Sequence, residues 1–178
     1  MLQSENLILR PLKSTDLLLI NIWRNDFQLN KLTLGIRFPK SLEMDEQWLN
    51  KALSDISNKN VYLAIDELQT SEFIGIVQLS NIDWISRTAD FGVNIGNRTK
   101  VGKGYGNECI KLFFKYVFQN LNLRKINLKV VQFNDNAIRL YKNIGFQQEG
   151  LLKQEVFYEN VYHDVIQMSL FSENFTIK

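Results

Sequence analysis

Three glycines within five residues, Gly102, Gly104 and Gly106, separate two segments of different hydrophobic periodicity. Residues 89–95 alternate between apolar and polar side chains, which predicts a half-buried strand. Residues 107–121 place apolar side chains three and four apart, which predicts an amphipathic helix. A glycine-rich turn between a strand and a helix aims backbone N–H groups at the helix N-terminus, where anions bind. The chain is thereby constrained to a sheet that carries a helix on its face.

The segment around the glycines is basic, although the whole chain is nearly neutral. With 21 Lys and Arg against 19 Asp and Glu, the formal net charge of +2 argues against nucleic acid as a partner. Between Asp90 and Glu108 there is no acid, whereas Arg98, Lys100 and Lys103 are basic. We expect this loop to hold an anion; the alternative is a tight turn with a solvated basic surface. The spacing matches neither the Walker A motif nor the dinucleotide motif.

The rest of the chain alternates between strand and helix patterns over 178 residues, the length of one domain, 1–178. Strands are predicted at 7–12 (as an edge strand), 61–65, 73–79, 89–95, 125–131, 151–158 and 163–171. Helices are predicted at 14–23, 41–53, 107–121 and 134–143. This order predicts a mixed sheet with helices on its faces.

One cysteine, Cys109, and one histidine, His163, exclude several classes of site. A Cys/His zinc site and an intramolecular disulfide are both impossible, so we expect no metal and a reducing, cytoplasmic location. The apolar run at 17–20 is far shorter than the roughly 20 residues that span a bilayer, so no membrane association is expected.

A second motif lies at 134–146, where Asn134 and Tyr141 are two helical turns apart and therefore share a face. Asn134 is also a suitable N-cap, and Gly145 a suitable end, for the helix between them. Taken alone, Tyr141 is interpreted as a packed aromatic residue. Its combination with the glycine loop changes that interpretation.

Together these motifs resemble the GCN5-related N-acetyltransferase (GNAT) superfamily. The resemblance runs in order through the opening strand at 8–12, the strand with Asp90, the loop at 101–106, the motif at 134–146 and the last two strands. It is strongest to the branch of ribosomal-protein alanine, spermidine and amino-sugar acetyltransferases. The implied GNAT fold is α/β (α+β), with a twisted, mostly antiparallel mixed sheet of about seven strands flanked by about four helices. Homodimers are frequent in this family.

The resemblance implies acetyl-CoA as co-substrate, held by two parts of the chain. Its pyrophosphate would rest on the loop and helix start, and its thioester arm would run along 92–95. The residues assigned to it are Asn94, Ile95, Val101, Gly102, Lys103, Gly104, Tyr105, Gly106, Asn107 and Asn134. Val101 stands where the family commonly has Gln or Arg, so we expect Arg98 or Lys100 to supply the missing charge.

Acetyl transfer to an amine needs a base, because at pH 7 an alkylammonium must first lose a proton. Asp90 is the candidate, acting directly or through water; alternatively it is paired with Arg87 or Arg139. Tyr141 matches the family tyrosine that donates a proton to the departing CoA thiolate. A backbone N–H near Asn94 or Ile95 would hold the oxyanion of the tetrahedral intermediate.

His163 is interpreted as a solvated residue at a hairpin end rather than as the base. Cys109 is interpreted as a packing residue on the long helix, because transfer in this family is direct. Neither residue is therefore assigned to the chemistry.

The acceptor is predicted from residues 30–41, which carry Lys31, Arg37 and Lys40 and no acid. This charge disfavours a polyamine and favours a small-molecule amine. Arg37 could meet a phosphate or carboxylate, as on a nucleotide-linked amino sugar; alternatively it belongs to a solvated basic loop. Trp23 could line an apolar substrate cleft or fill the core. The alternatives are a protein N-terminal acetyltransferase and a non-catalytic acyl-CoA-binding module.

Overall fold

The computed structural model describes residues 1–35 and 38–176, and within them the chain forms eight strands and five α-helices. The strands are β1 (Leu2–Gln3), β2 (Leu7–Pro11), β3 (Val61–Glu67), β4 (Phe73–Asp83), β5 (Thr88–Ile95), β6 (Lys125–Val131), β7 (Gln147–Tyr158) and β8 (Val161–Phe171). The helices are α1 (Leu17–Arg24), α2 (Phe27–Thr33), α3 (Leu42–Leu53), α4 (Tyr105–Gln119) and α5 (Asp135–Ile144).

The eight strands form one sheet in the order β1-β2-β3-β4-β5-β6-β8-β7. Every neighbouring pair is antiparallel except β5 and β6, which are parallel because α4 carries the chain back across the sheet. The predicted mixed, mostly antiparallel sheet with helices on its faces is confirmed. Strand β2 is not the edge strand that the proline pattern predicted, because the two-residue β1 covers it. The sequence predicted four helices, and α2 is the fifth, which was not predicted.

Strands β5 and β6 separate after a short contact. They pair only at Thr88↔Lys125, Ala89↔Ile126 and Asp90↔Asn127. Beyond Asp90, β5 stays with β4 as far as Ile95, while β6 stays with β8 as far as Val131. The facing edges of β5 and β6 therefore leave a gap in the middle of the sheet, which we call the strand gap.

The helices cover the two faces of the sheet unequally. On one face, α4 buries Phe113 and Phe114 in the main core, and the Phe114 ring lies 4.8 Å from the ring of Phe91 on β5. On the other face, α1 and α3 bury Ile20 and Leu49 in a second cluster over β3 and β4. Alternation along β5 then turns Asp90, Gly92 and Asn94 away from α4 and toward α1–α3.

Among the described residues, no helix combines the length and the apolar character needed to cross a bilayer.

Candidate active site

The glycine loop presents unpaired backbone donors at the start of α4. Gly102 and Gly104 have φ of +80° and +91°, a conformation that glycine adopts without strain, and a Cβ at either position would meet only open space. Gly104 is the N-cap of α4 and supplies no capping side chain. The N–H groups of Tyr105, Gly106 and Asn107 have no acceptor among the described residues. An open helix N-terminus with three free donors fits a pyrophosphate group.

Two of the three loop cations are neutralised by carboxylates from elsewhere in the chain. Arg98 binds both oxygens of Asp26, at 2.6 and 2.8 Å, and Lys100 Nζ lies 2.7 Å from Glu67. The expectation that Arg98 or Lys100 supplies charge in place of Val101 is therefore corrected, because both side chains are engaged in these ion pairs. Within the described chain, only Lys103 of the three forms no ion pair.

Glu67, at the end of β3, connects the loop to the sheet. Its carboxylate accepts hydrogen bonds from Lys100, from Thr70 at 2.6 Å and from the Tyr105 hydroxyl. These donors, led by Lys100, lower the pKa of Glu67 to about 2. The side chain of Tyr105 is thus held by protein, which leaves its backbone N–H for a ligand.

The strand gap opens into a cleft of about 510 Å³. Its walls come from β4, β5, β6, β7, β8 and the end of α2. The lining residues are Thr33, Leu34, Gln78, Asp90, Phe91, Gly92, Asn127, Leu128, Lys129, Glu149, Gln167 and Met168. The unpaired edge of β5 therefore borders a space wide enough for an extended chain.

Asp90 is exposed to this cleft, and the only described hydrogen bond of its carboxylate is accepted from Asn81 Nδ2, at 2.9 Å. Neither arginine that could have paired with it does so. Arg87 binds Asn122, and Arg139 binds Asn136. The carboxylate is therefore available to an amine or to a water molecule in the cleft.

Tyr141 lies on α5 at the α4 side of β5. Its ring packs edge-on 6.5 Å from Phe91 and lies 5.6 Å from Phe146. Burial among these rings raises the pKa of Tyr141 to about 12, because the phenolate form would be desolvated. At neutral pH this hydroxyl is protonated and can act as a proton donor.

The amide of Asn134 is occupied within the protein. Its Oδ1 accepts from the Ala137 N–H at 3.2 Å, which caps α5, and its Nδ2 donates to the Leu32 carbonyl at 3.1 Å. The second bond connects the start of α5 to α2. The role of Asn134 toward acetyl-CoA stays a prediction.

A second cleft, of about 310 Å³, lies between the α1–α3 layer and the sheet, and we call it the helix-face cleft. Its lining residues are Arg24, Asn30, Thr33, Gly35, Trp48, Tyr62, Ile76, Gln78, Gly92, Val93 and Asn94. It shares Thr33, Gln78 and Gly92 with the strand gap. A Cβ at Gly92 would lie 3.2 Å from Gln78 Nε2, so glycine keeps this junction open.

Of the two residues predicted to contact the acceptor, Arg37 and Trp23, the structure describes only Trp23. Trp23 is 6% exposed and packs on Phe73 at 4.8 Å, so it belongs to the core and not to the cleft wall. Arg37 lies outside the described residues. Among the described lining residues the cation is Arg24, which the sequence did not single out; its position directly after Trp23, at the end of a helix, was the available signal.

The two other candidate residues are remote from both clefts. Cys109 is fully buried in the main core, where burial raises its thiol pKa. His163 packs against Phe133, with the ring centroids 4.8 Å apart. Among the described residues, no group of three or more His, Cys, Asp and Glu side chains is placed to hold a metal ion.

Comparison with known proteins supports the interpretation of the fold. A profile of the acetyltransferase (GNAT) domain matches residues 6–147. Spermidine N(1)-acetyltransferase of Vibrio cholerae is 30% identical over 172 residues, covering 97% of this chain and 96% of that protein. The Escherichia coli K12 enzyme of the same name is 29% identical over 167 residues, covering 94% and 87%.

A crystal structure of the Vibrio cholerae spermidine N-acetyltransferase in complex with CoA and spermine superposes with a TM-score of 0.88. The sequence identity there is 30%, and the alignment covers 96% of this chain and 98% of that one. The chain therefore belongs to the GNAT family, as the two motifs indicated. It is an N-acetyltransferase that uses acetyl-CoA.

Proposed function

We propose that this enzyme acetylates the primary amine of a small molecule whose remaining groups are neutral or anionic, such as an amino sugar or a nucleotide-linked amino sugar. The observation that carries this proposal is the charge of the helix-face cleft. Its described lining residues include the guanidinium of Arg24 and no carboxylate. A substrate group that occupies this cleft is best matched if it is an acceptor of hydrogen bonds or an anion.

The names of the relatives point to a polyamine, and the proposal departs from them for a physical reason. A polyamine keeps further ammonium groups when one amine reacts, and two like charges 4 Å apart repel by about 4 kcal/mol near a protein surface. Arg24 would repel such a group in the helix-face cleft. Asp90 and Glu149 line the strand gap instead, and Glu149 is already paired with Lys125.

For the transfer itself, acetyl-CoA supplies the thioester that the amine attacks directly. We propose that Asp90 removes the ammonium proton, directly or through water, because its carboxylate faces the cleft and has no cationic partner in the described structure. Tyr141 donates a proton to the leaving sulfur. The unpaired β5 edge near Asn94 and Ile95 offers backbone N–H groups to the developing oxyanion.

The side chain of Asn94 adds a binding group at the same place. Its Oδ1 is buried and accepts no hydrogen bond from the described residues. A buried acceptor without a donor costs free energy, so a ligand N–H or O–H group in the helix-face cleft would be stabilised there. We propose that Asn94 Oδ1 accepts this bond.

With acetyl-CoA as the acetyl donor, we also propose that the enzyme is cytoplasmic.

The test is release of CoA thiol from acetyl-CoA with a panel of amines: a nucleotide-linked amino sugar, glucosamine 6-phosphate, glucosamine, spermidine and peptides with Ala or Ser N-termini. We expect kcat/KM to be highest for an amino sugar. Turnover of peptides alone would identify a protein N-terminal acetyltransferase. A preference for spermidine would refute the charge argument, and CoA binding by calorimetry without turnover of any amine would identify a binding module.

A further inference from the structure

Arg24 is the last residue of α1 and projects into the helix-face cleft. Its guanidinium lies over the ring of Trp48, 4.4 Å from the ring centroid, and Trp48 packs edge-on against Tyr62 at 5.5 Å. Its Nη1 is 3.2 Å from Asp45 Oδ1, and only 22% of its side chain is exposed. Arg24 is thus a fixed and largely desolvated cation in the wall of the cleft.

No hydrogen bond from the Arg24 guanidinium reaches an acceptor among the described residues, since the contact with Asp45 lacks hydrogen-bond geometry. Asp45 is fully buried and accepts its hydrogen bond from Asn21 Nδ2, at 2.7 Å. Desolvation by burial lowers the pKa of Arg24, and the charge of Asp45 acts in the opposite direction.

Arg10 shows what a purely structural arginine looks like in the same molecule. Its guanidinium donates two hydrogen bonds to Asp16, at 2.8 and 2.9 Å, and one to Asp66, at 2.6 Å. These bonds raise its pKa despite its burial. Arg10 uses its donors within the protein, whereas the guanidinium of Arg24 makes no hydrogen bond to a described residue.

We propose that Arg24 is the subsite for an oxyanion of the acceptor, a phosphate or a carboxylate, with Trp48 holding the guanidinium in place. This inference rests on the proposed function and specifies its substrate class. The planar fork of a guanidinium binds such groups with two parallel hydrogen bonds, and the cleft meets the strand gap at Gly92 and Gln78. An acceptor held at Arg24 would therefore extend its amine toward Asp90.

The experiment compares amines that differ only in the oxyanion: glucosamine 6-phosphate against glucosamine, and an amino acid against its amide. In R24Q we expect kcat/KM for the oxyanion-bearing amine to fall about 10- to 100-fold, mostly through KM, as for a lost charged hydrogen bond. For the amine without the oxyanion, we expect kcat/KM to change less than about twofold. We expect the KM for acetyl-CoA to change less than about twofold as well. A larger loss for glucosamine 6-phosphate would identify the ligand group at Arg24 as a phosphate. A larger loss for the amino acid would identify it as a carboxylate.

Two further variants keep the test decisive. R24K retains a positive charge beside Asp45 but lacks the fork, so it should fold and show an intermediate loss. R139Q removes an exposed arginine of α5 that binds Asn136 and should match the parent enzyme. An equal loss on both members of each pair, or no loss, would overturn the inference while acetylation itself stands. Absence of turnover for every amine would refute the proposed function.

Discussion

The glycine loop and the helix-face cleft, the two regions proposed to bind ligands, differ in the part of the chain that faces the ligand. The loop offers backbone N–H groups of consecutive residues, Tyr105 to Asn107, and its basic side chains are mostly paired elsewhere. The cleft offers side chains such as Arg24 and Asn94, brought together from helices and strands far apart in sequence. A backbone site tolerates side-chain change, whereas a side-chain site sets specificity. Variants in the two regions should therefore affect different substrates.

The largest effect is expected at Tyr141, which belongs to neither the glycine loop nor the lining of the helix-face cleft. Tyr141→Phe removes the proposed proton donor and should lower kcat about 10²- to 10⁴-fold, with both KM values nearly unchanged. Since the pKa of Tyr141 is raised to about 12, no loss of rate from its ionisation should appear below about pH 11. Steady-state kinetics against pH measures both effects. Tyr116→Phe on α4 is the control, and equal activity of the two variants would contradict the assignment.

A β-branched residue in the loop should weaken the cofactor site alone. Gly104 has φ of +91°, and an L-residue in a left-handed conformation is destabilised by roughly 1–2 kcal/mol. Gly104→Val should raise KM for acetyl-CoA about tenfold and leave KM for the acceptor unchanged. Asn58→Val introduces comparable strain at φ of +56° in a distant turn and should lower Tm without changing either KM. A change in the KM for the acceptor would contradict the inference that the glycine loop and the helix-face cleft bind different substrates.

Removing the charge of Glu67, which anchors the glycine loop, should also raise KM for acetyl-CoA, but less than Gly104→Val does. Glu67→Gln weakens the bonds to Lys100 and Tyr105, and we expect KM for acetyl-CoA to rise about threefold to tenfold. Glu46→Gln, on an exposed position of α3, is the matched control. An unchanged KM would mean that the loop keeps its conformation without this anchor.

The same carboxylate gives a pH test of stability. Because the pKa of Glu67 is lowered in the folded state, its stabilising effect is complete above its ordinary value of 4.5 and is lost as the pH falls toward about 2. Thermal melting of the parent and of Glu67→Gln should therefore differ near pH 6 and converge near pH 2. A difference that persists at pH 2 would contradict the lowered pKa.

The smallest effect is expected at Cys109, which belongs to neither region. Cys109→Ala should change kcat and both KM values less than about twofold and lower stability by about 1 kcal/mol, because it removes one buried sulfur. The native thiol should resist alkylation, since burial raises its pKa. Rapid alkylation with loss of activity would show that this side chain is accessible.

Most of the fold could be predicted from local patterns. Periodicities of two and of 3.6 residues identified the main strands and α4, because each residue of a regular element repeats the same local environment. Helix α2 was missed because it is only seven residues long, and β1 because it has two residues and depends on β2 for its hydrogen bonds. Both elements are stabilised by their neighbours more than by their own sequence.

The sequence by itself determined the family, the glycine loop, the aromatic donor candidate and the polar face of β5. Tertiary structure decided which cations stay free, since Asp26 and Glu67 approach Arg98 and Lys100 from 72 and 33 residues away. It also placed Arg24 in the cleft and Trp23, one residue earlier, in the core. Backbone conformation depends on adjacent residues, whereas the charge of a site depends on every side chain that folding brings within a few ångströms.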